Sequence, residues 1–165
     1  MCHVLLRLAR DLLKEFLTVI RHINLGASMT PQEPAAKKVA IANPEHAPYG
    51  QAAVAAMKSL AVYDDVKAKL VLGDNISQTA QFVESGAADI GIIALSLAVA
   101  PVMAEKGKYW EVPLTAFPQM IQAGVVTAQA SNPAAARKLE DFLKSPVGKE
   151  TLKKFGFLMP AADGR

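Results

Sequence analysis

The sequence has one cysteine, Cys2, and one tryptophan, Trp110, in 165 residues. A lone cysteine excludes an internal disulfide and a thiolate metal cluster. No apolar run approaches the roughly 18 to 20 residues of a membrane span. Charge of one sign is scarce as well. Eighteen basic residues face fifteen acidic ones, for a formal net charge of +3. The isoelectric point near 9.0 is compatible with an anionic ligand, but the basic residues are scattered, so no nucleic acid is expected as a partner. What is abundant is apolar content, 52% against 20% charged residues. That composition makes a globular chain, long enough for a real core.

The first stretch, "MCHVLLRLARDLLKEFLTVIRHI", has the charge of an export signal but not its unbroken apolar centre. Arg7, Arg10, Asp11, Lys14 and Glu15 interrupt every candidate centre. Leu5, Leu8, Leu12, Phe16, Val19 and Ile23 recur at helical spacing. The expectation is an amphipathic helix packed on the rest of the chain or on a partner, with a membrane-surface helix as the alternative. "NLGASMTPQEPAA" then reads as a linker.

Beyond it, strands and helices alternate. "KKVAIAN", "VKAKLVLG" and "DIGIIALS" are the expected strands. The helix "GQAAVAAMKSLAVY" between the first two places Ala52, Ala55, Ala56 and Leu60 on a small-residue face. The helix in "DNISQTAQFVESGAA" has Asn75 as its cap, Gln78 three positions on, and Gly86 as its stop. Strand, helix, strand, helix, strand predicts an α/β layered fold with a mainly parallel sheet, whose ligand edge is the carboxyl end of the strands. "KGKYWEVPLTAFPQMIQAG" looks like a crossover, and "AGVVTAQAS" like a further strand. Two helices close the chain, opened by Asn132–Pro133 and by Ser145–Pro146 and ended by Gly156.

Catalytic equipment is missing. His3, His22 and His46 have no metal-ligand spacing, and Ser96 lacks the glycines of a nucleophile elbow. Asp64 and Asp65 sit in a turn, Glu84 and Asp89 flank a helix end, and Gly73, Gly86 and Gly91 form no phosphate loop. An enzyme is not expected, nor is a cofactor or a bound metal. Donor chemistry remains. A helix N-terminus has N–H groups without intrahelical partners and the positive end of the macrodipole, and it binds tetrahedral anions. Two such corners lie at the expected ligand edge, "PEHAPYG" and "GDNIS". At the first, Pro48 fixes the chain just before Tyr49, and Gly50 permits close approach. At the second, Asn75 caps the helix and leaves the N–H groups of Ile76 and Ser77. An ordinary pair of water-covered caps is the alternative.

"KKVAIANPEHAPYGQAAVAAM", "KLVLGDNISQTAQFVESGAADIGIIALS", "GKYWEVP" and "LEDFLKSPVGKETLKKFGF" together resemble the periplasmic molybdate-binding proteins of ABC importers. The resemblance runs from about residue 30 to residue 160. It implies a periplasmic-binding-protein-like (type II) fold whose two lobes close on molybdate or tungstate through neutral donors. It places the backbone N–H groups of Tyr49 and Ile76 on the anion, with Asn75 and Ser77 as weaker candidates. Ala94 stands where some members carry a strand tyrosine, so this chain is similar to the branch without it.

The resemblance also implies that much of the first lobe has no counterpart here. The expected organisation is a helix and linker over 1–29, not family-like, a ligand-binding lobe over 30–112, and a crossover with a remnant of the other lobe over 113–165. The expected form is a truncated one with a weakened half-site. Each hydrogen bond to a charged group contributes about 1.5 to 3 kcal/mol, so losing some three donors predicts millimolar binding at best. Localisation is periplasmic by resemblance. With no signal peptide seen, the chain as it stands is also compatible with the cytoplasm. An importer permease is the expected partner if the missing lobe is supplied, with self-association through an exposed edge at "VVTAQAS" as a further expectation. The alternatives are a non-binding interaction or vestigial protein, and a regulator's effector domain of the same fold.

Overall fold

A computed structural model describes residues 13–15, 17–22 and 36–159. Its strands are β1 (Leu13–Glu15), β2 (Leu17–His22), β3 (Val39–Ala42), β4 (Leu70–Gly73), β5 (Ile90–Ala94), β6 (Gly107–Glu111), β7 (Met120–Gln122) and β8 (Phe157–Leu158). Its α-helices are α1 (Pro48–Ser59), α2 (Tyr63–Val66), α3 (Ile76–Glu84), α4 (Leu95–Ala98), α5 (Pro101–Ala104), α6 (Pro133–Lys144) and α7 (Pro146–Lys154). The chain divides into two compact units, Phe16–Met120 and Met1–Glu15 with Ile121–Arg165.

The larger unit is built on a five-stranded sheet of order β4-β3-β5-β2-β6. β3 pairs in parallel with both β4 and β5, while β2 runs antiparallel to β5 and β6. Four strands therefore point one way and β2 the other, which is the mainly parallel sheet expected. Every residue of β3 and β5 is buried, as befits strands covered on both faces. The side chains alternate accordingly. Ile41, Ile90 and Ile92 enter a core with Ala52, Ala53, Ala56 and Met57 of α1. Ala40 and Ile93 enter a second core with Ala80 and Val83 of α3. One helix thus lies on each face, giving three layers. Gly91 makes the second contact close: a Cβ there would run into Val83.

The small-residue face of α1 is confirmed with one correction. Leu60 is 41% exposed because the helix ends at Ser59 and Leu60 is its C-cap; Met57 supplies the large buried side chain instead.

The N-terminal helix is a larger correction. Its described part is strand, β1 and β2, while residues 1–12, 16 and 23–35, which include most of the linker, lie outside the described residues. Thr18, Val19 and Ile20 form a β-branched run, stiff in a helix and suited to a pleated strand. β2 also gains a ladder on each side, with Val19 opposite both Ile92 and Trp110. Apolar spacing does not outweigh two full ladders.

β6 corrects the crossover over "KGKYW" in the same way, since it is the sheet's edge strand paired to β2. Val112, Ala116, Phe117 and Met120 are buried in the α1-side core, and the unit ends at Met120.

In the smaller unit a three-stranded sheet has the order β7-β1-β8. α6 and α7 begin as expected. Asn132 Oδ1 accepts from the Ala135 N–H at 3.0 Å and Ser145 Oγ from the Gly148 N–H at 3.1 Å. Gly156 follows α7 at φ 80°, the left-handed stop. The strand expected in "AGVVTAQAS" does not form; β7 ends at Gln122 and residues 123–132 hold no strand. A strand needs a ladder partner, and none is described for these residues. The edge expected to drive self-association there is therefore absent among the described residues. No residue of α6 is buried, and its apolar stripe of Leu139, Phe142 and Leu143 is exposed.

Candidate functional site

Parallel pairing puts the two corners side by side. Ala42, the last residue of β3, is in register with Gly73, the last of β4. The Asn43 N–H carries the ladder one rung further, donating to the Gly73 carbonyl at 2.7 Å. α1 follows the first strand end and α3 the second, so both helix N-termini rise from adjacent strand ends.

At the first corner Asn43 closes a turn: its carbonyl accepts from the N–H groups of His46 (3.4 Å) and Ala47 (2.9 Å), and its Oδ1 from that of Glu45 (3.0 Å). Ala47 is the cap of α1, so no side-chain oxygen caps the first turn. Pro48 has no N–H, which makes the amide of Tyr49 the first donor of the helix. The next two, of Gly50 and Gln51, both donate to the Ala47 carbonyl. Tyr49 is half-buried and its ring packs against the α1-side core. Gly50 has no room for a side chain, since a Cβ would overlap the Ala42 carbonyl and lie 2.7 Å from the Pro44 nitrogen. Its close approach is thus helix to strand.

At the second corner Asn75 Oδ1 accepts from the Gln78 N–H at 2.9 Å, as expected of a cap. The Asn75 carbonyl accepts from the Thr79 N–H at 3.1 Å and from Thr79 Oγ1 at 2.9 Å. The N–H groups of Ile76 and Ser77 therefore precede the first helical bond. The reciprocal bond of a capping box falls one residue early, with Gln78 Oε1 accepting from Asp74 N–H. Thr79 is fully buried; Asn75 and Ser77 are exposed and Ile76 half-buried.

The structure thus brings together Tyr49, Asn75, Ile76 and Ser77 at one sheet edge. Ala94, at the end of the parallel neighbour β5, is buried and offers no side-chain donor. The structure also brings His46 to this edge. Its Nε2 lies 3.0 Å from the Asp74 carbonyl, across 28 residues of sequence. The only trace in the sequence was its place within "PEHAP".

Asp64, Glu84 and Asp89 have structural partners. Asp89 accepts from the N–H groups of Lys37 (2.8 Å) and Lys38 (2.9 Å) at the entry to β3, and Glu84 pairs with Lys106 at 2.8 Å. The Lys67 ammonium, 2.8 Å from Asp64, holds that carboxyl below its ordinary range and is itself pushed up. Among the described residues no group of three or more His, Cys, Asp or Glu is placed to hold a metal, and no helix is long and apolar enough to cross a membrane. A cavity of about 690 Å³ lies within the smaller unit, lined by Val125, Leu139, Leu143 and Leu152 with Lys149 and Lys153. It is mostly apolar and holds none of the donors described above.

Residues 11–158 match the model of a bacterial extracellular solute-binding protein family. That match takes in β1 and β2. The chain is similar to the molybdate-binding protein ModA of Rhodobacter capsulatus, 38% identical over 120 residues, or 73% of this chain and 46% of that protein. It is similar also to ModA of Azotobacter vinelandii, 37% identical over 121 residues, 73% of this chain and 48% of that protein. The chain therefore spans about half the length of these curated relatives. In fold it is similar to the periplasmic molybdate-binding protein of Azotobacter vinelandii, with a TM-score of 0.78 over 90% of this chain and 67% of that one, at 23% identity.

Proposed function

Because the chain belongs to a family of bacterial extracellular solute-binding proteins, we propose that it is the molybdate- or tungstate-binding component of an ABC importer. It holds the oxyanion through the backbone N–H groups of Tyr49 and Ile76, with Asn75 and Ser77 as subsidiary donors. The anion is cargo, and the role is binding without catalysis or a resident cofactor. The partner is the importer's membrane permease, and the place of work is the periplasm.

One observation carries this reading. Two helices of 12 and 9 residues begin at adjacent parallel strand ends, and neither has an acidic side chain in its first turn. Acidic residues are the ordinary complement of a helix N-terminus. Their absence from both first turns leaves the N–H groups there to an external anion. Backbone donors suit a doubly charged tetrahedral oxyanion such as molybdate, which accepts at every oxygen.

Hydrogen bonds to a charged group contribute about 1.5 to 3 kcal/mol each. These donors by themselves therefore support millimolar rather than tight binding. The experiment is isothermal titration of the purified chain with molybdate, sulfate serving as control. Weak heat from molybdate in excess of sulfate supports the reading. Equal response to both anions, or none at about ten millimolar, removes its support.

A further inference from the structure

Two consecutive carbonyls of the second corner are held from the first. Asn43 N–H donates to the Gly73 carbonyl at 2.7 Å, and His46 Nε2 sits 3.0 Å from that of Asp74. A carbonyl only accepts, so this ring nitrogen carries the proton and donates. The turn that presents the ring is itself closed by the three bonds to Asn43.

A trans peptide is planar, so its C=O and N–H point opposite ways, and no peptide among the described residues is cis. Holding the Asp74 carbonyl therefore orients the Asn75 N–H and the first turn that follows it. The preceding peptide is held at both ends, by Asn43 at the Gly73 carbonyl and by Gln78 at the Asp74 N–H. His46 itself is exposed and belongs to neither core, so packing does not explain its place.

We propose that His46 is a positioning residue, a tether that fixes the Ile76–Ser77 donors relative to Tyr49 so that both corners present N–H groups at a set separation. The inference rests on reading those amides as oxyanion donors. It adds a side chain that never touches the ligand yet sets the geometry of its cradle.

The test compares the full chain as wild type, His46→Gln and His46→Ala. Glutamine returns an N–H near the position of Nε2, and alanine does not. In the ligand-free protein, ¹⁵N shifts of the ring should place the proton on Nε2. Backbone order parameters over Asp74–Ser77 should fall in His46→Ala and recover in His46→Gln. On titration with sodium molybdate, His46→Ala should bind about two- to tenfold more weakly, the worth of one hydrogen bond, with rescue by His46→Gln. A proton on Nδ1 alone, or order parameters that do not separate alanine from wild type, would overturn the tether. So would a wild type that binds molybdate and an alanine variant that binds it equally, and that result would leave the oxyanion reading standing. A wild type that does not bind molybdate would count against the function instead, while ring tautomer and order parameters still decide the tether.

Discussion

Gly50 is pressed against the carbonyl of Ala42 so closely that a Cβ could not be added without moving one of the two backbones. The second corner repeats the device with the roles exchanged. There the glycine is the strand's last residue, Gly73, and a Cβ on it would lie 2.7 Å from Thr79 Oγ1 and 2.9 Å from the Thr79 nitrogen, in the first turn of α3. Each helix N-terminus is thereby seated directly on a strand end.

Gly50→Ala separates this packing role from helix propensity. Within a helix, alanine is favoured over glycine by roughly 0.5 to 1 kcal/mol. Overpacking against a fixed carbonyl costs about 1 to 3 kcal/mol, so the net effect is destabilisation. Urea unfolding should show a lower midpoint with an unchanged slope. A more stable variant would refute the seating.

Tyr49→Pro and Tyr49→Phe divide the backbone from the side chain. Phenylalanine keeps the ring that packs on the core and the N–H, so molybdate binding should be nearly unchanged. Proline removes the N–H, and about 1.5 to 3 kcal/mol of binding should go with it. Titration calorimetry reads this, with circular dichroism confirming that both variants fold. Equal binding by proline and wild type would sink the assignment of Tyr49.

Asn75→Ala removes the cap and leaves its backbone donor in place. Loss of the bond to the Gln78 N–H should cost about 1 kcal/mol of stability, visible as a lower thermal midpoint. Binding should weaken less than in Tyr49→Pro. A larger loss of affinity than of stability would make the Asn75 side chain itself a ligand.

The pH dependence of the Asp64–Lys67 pair has a definite sign. Asp64 titrates below its ordinary range because the Lys67 ammonium donates to it, and Lys67 titrates above its own for the reciprocal reason. The pair's contribution is lost as pH falls through the depressed carboxyl value, and as it rises through the raised ammonium value. Both side chains are exposed, so global stability should hardly change. ¹³C titration of the Asp64 carboxyl should show its pKa return upward in Lys67→Met, and no movement would refute the pairing.

What the sequence determined by itself was local. Asn75, Asn132 and Ser145 cap the helices whose starts they announced, because a cap is a contact between residues three apart. The strand–helix alternation was legible for the same reason, and with it the placing of Tyr49 and Ile76 at one sheet edge. The tertiary structure alone decided what hangs on distant partners. Leu17–His22 became a strand because Ile90–Ala94 and Gly107–Glu111 offered it two ladders, which no window around residue 20 contains. "AGVVTAQAS", no less apolar, stayed irregular for want of one. The contact from His46 to Asp74 spans 28 residues and exists only because two parallel strands end in register. Local bonds are written in neighbouring letters; ladders and tethers are made only when the chain returns to itself.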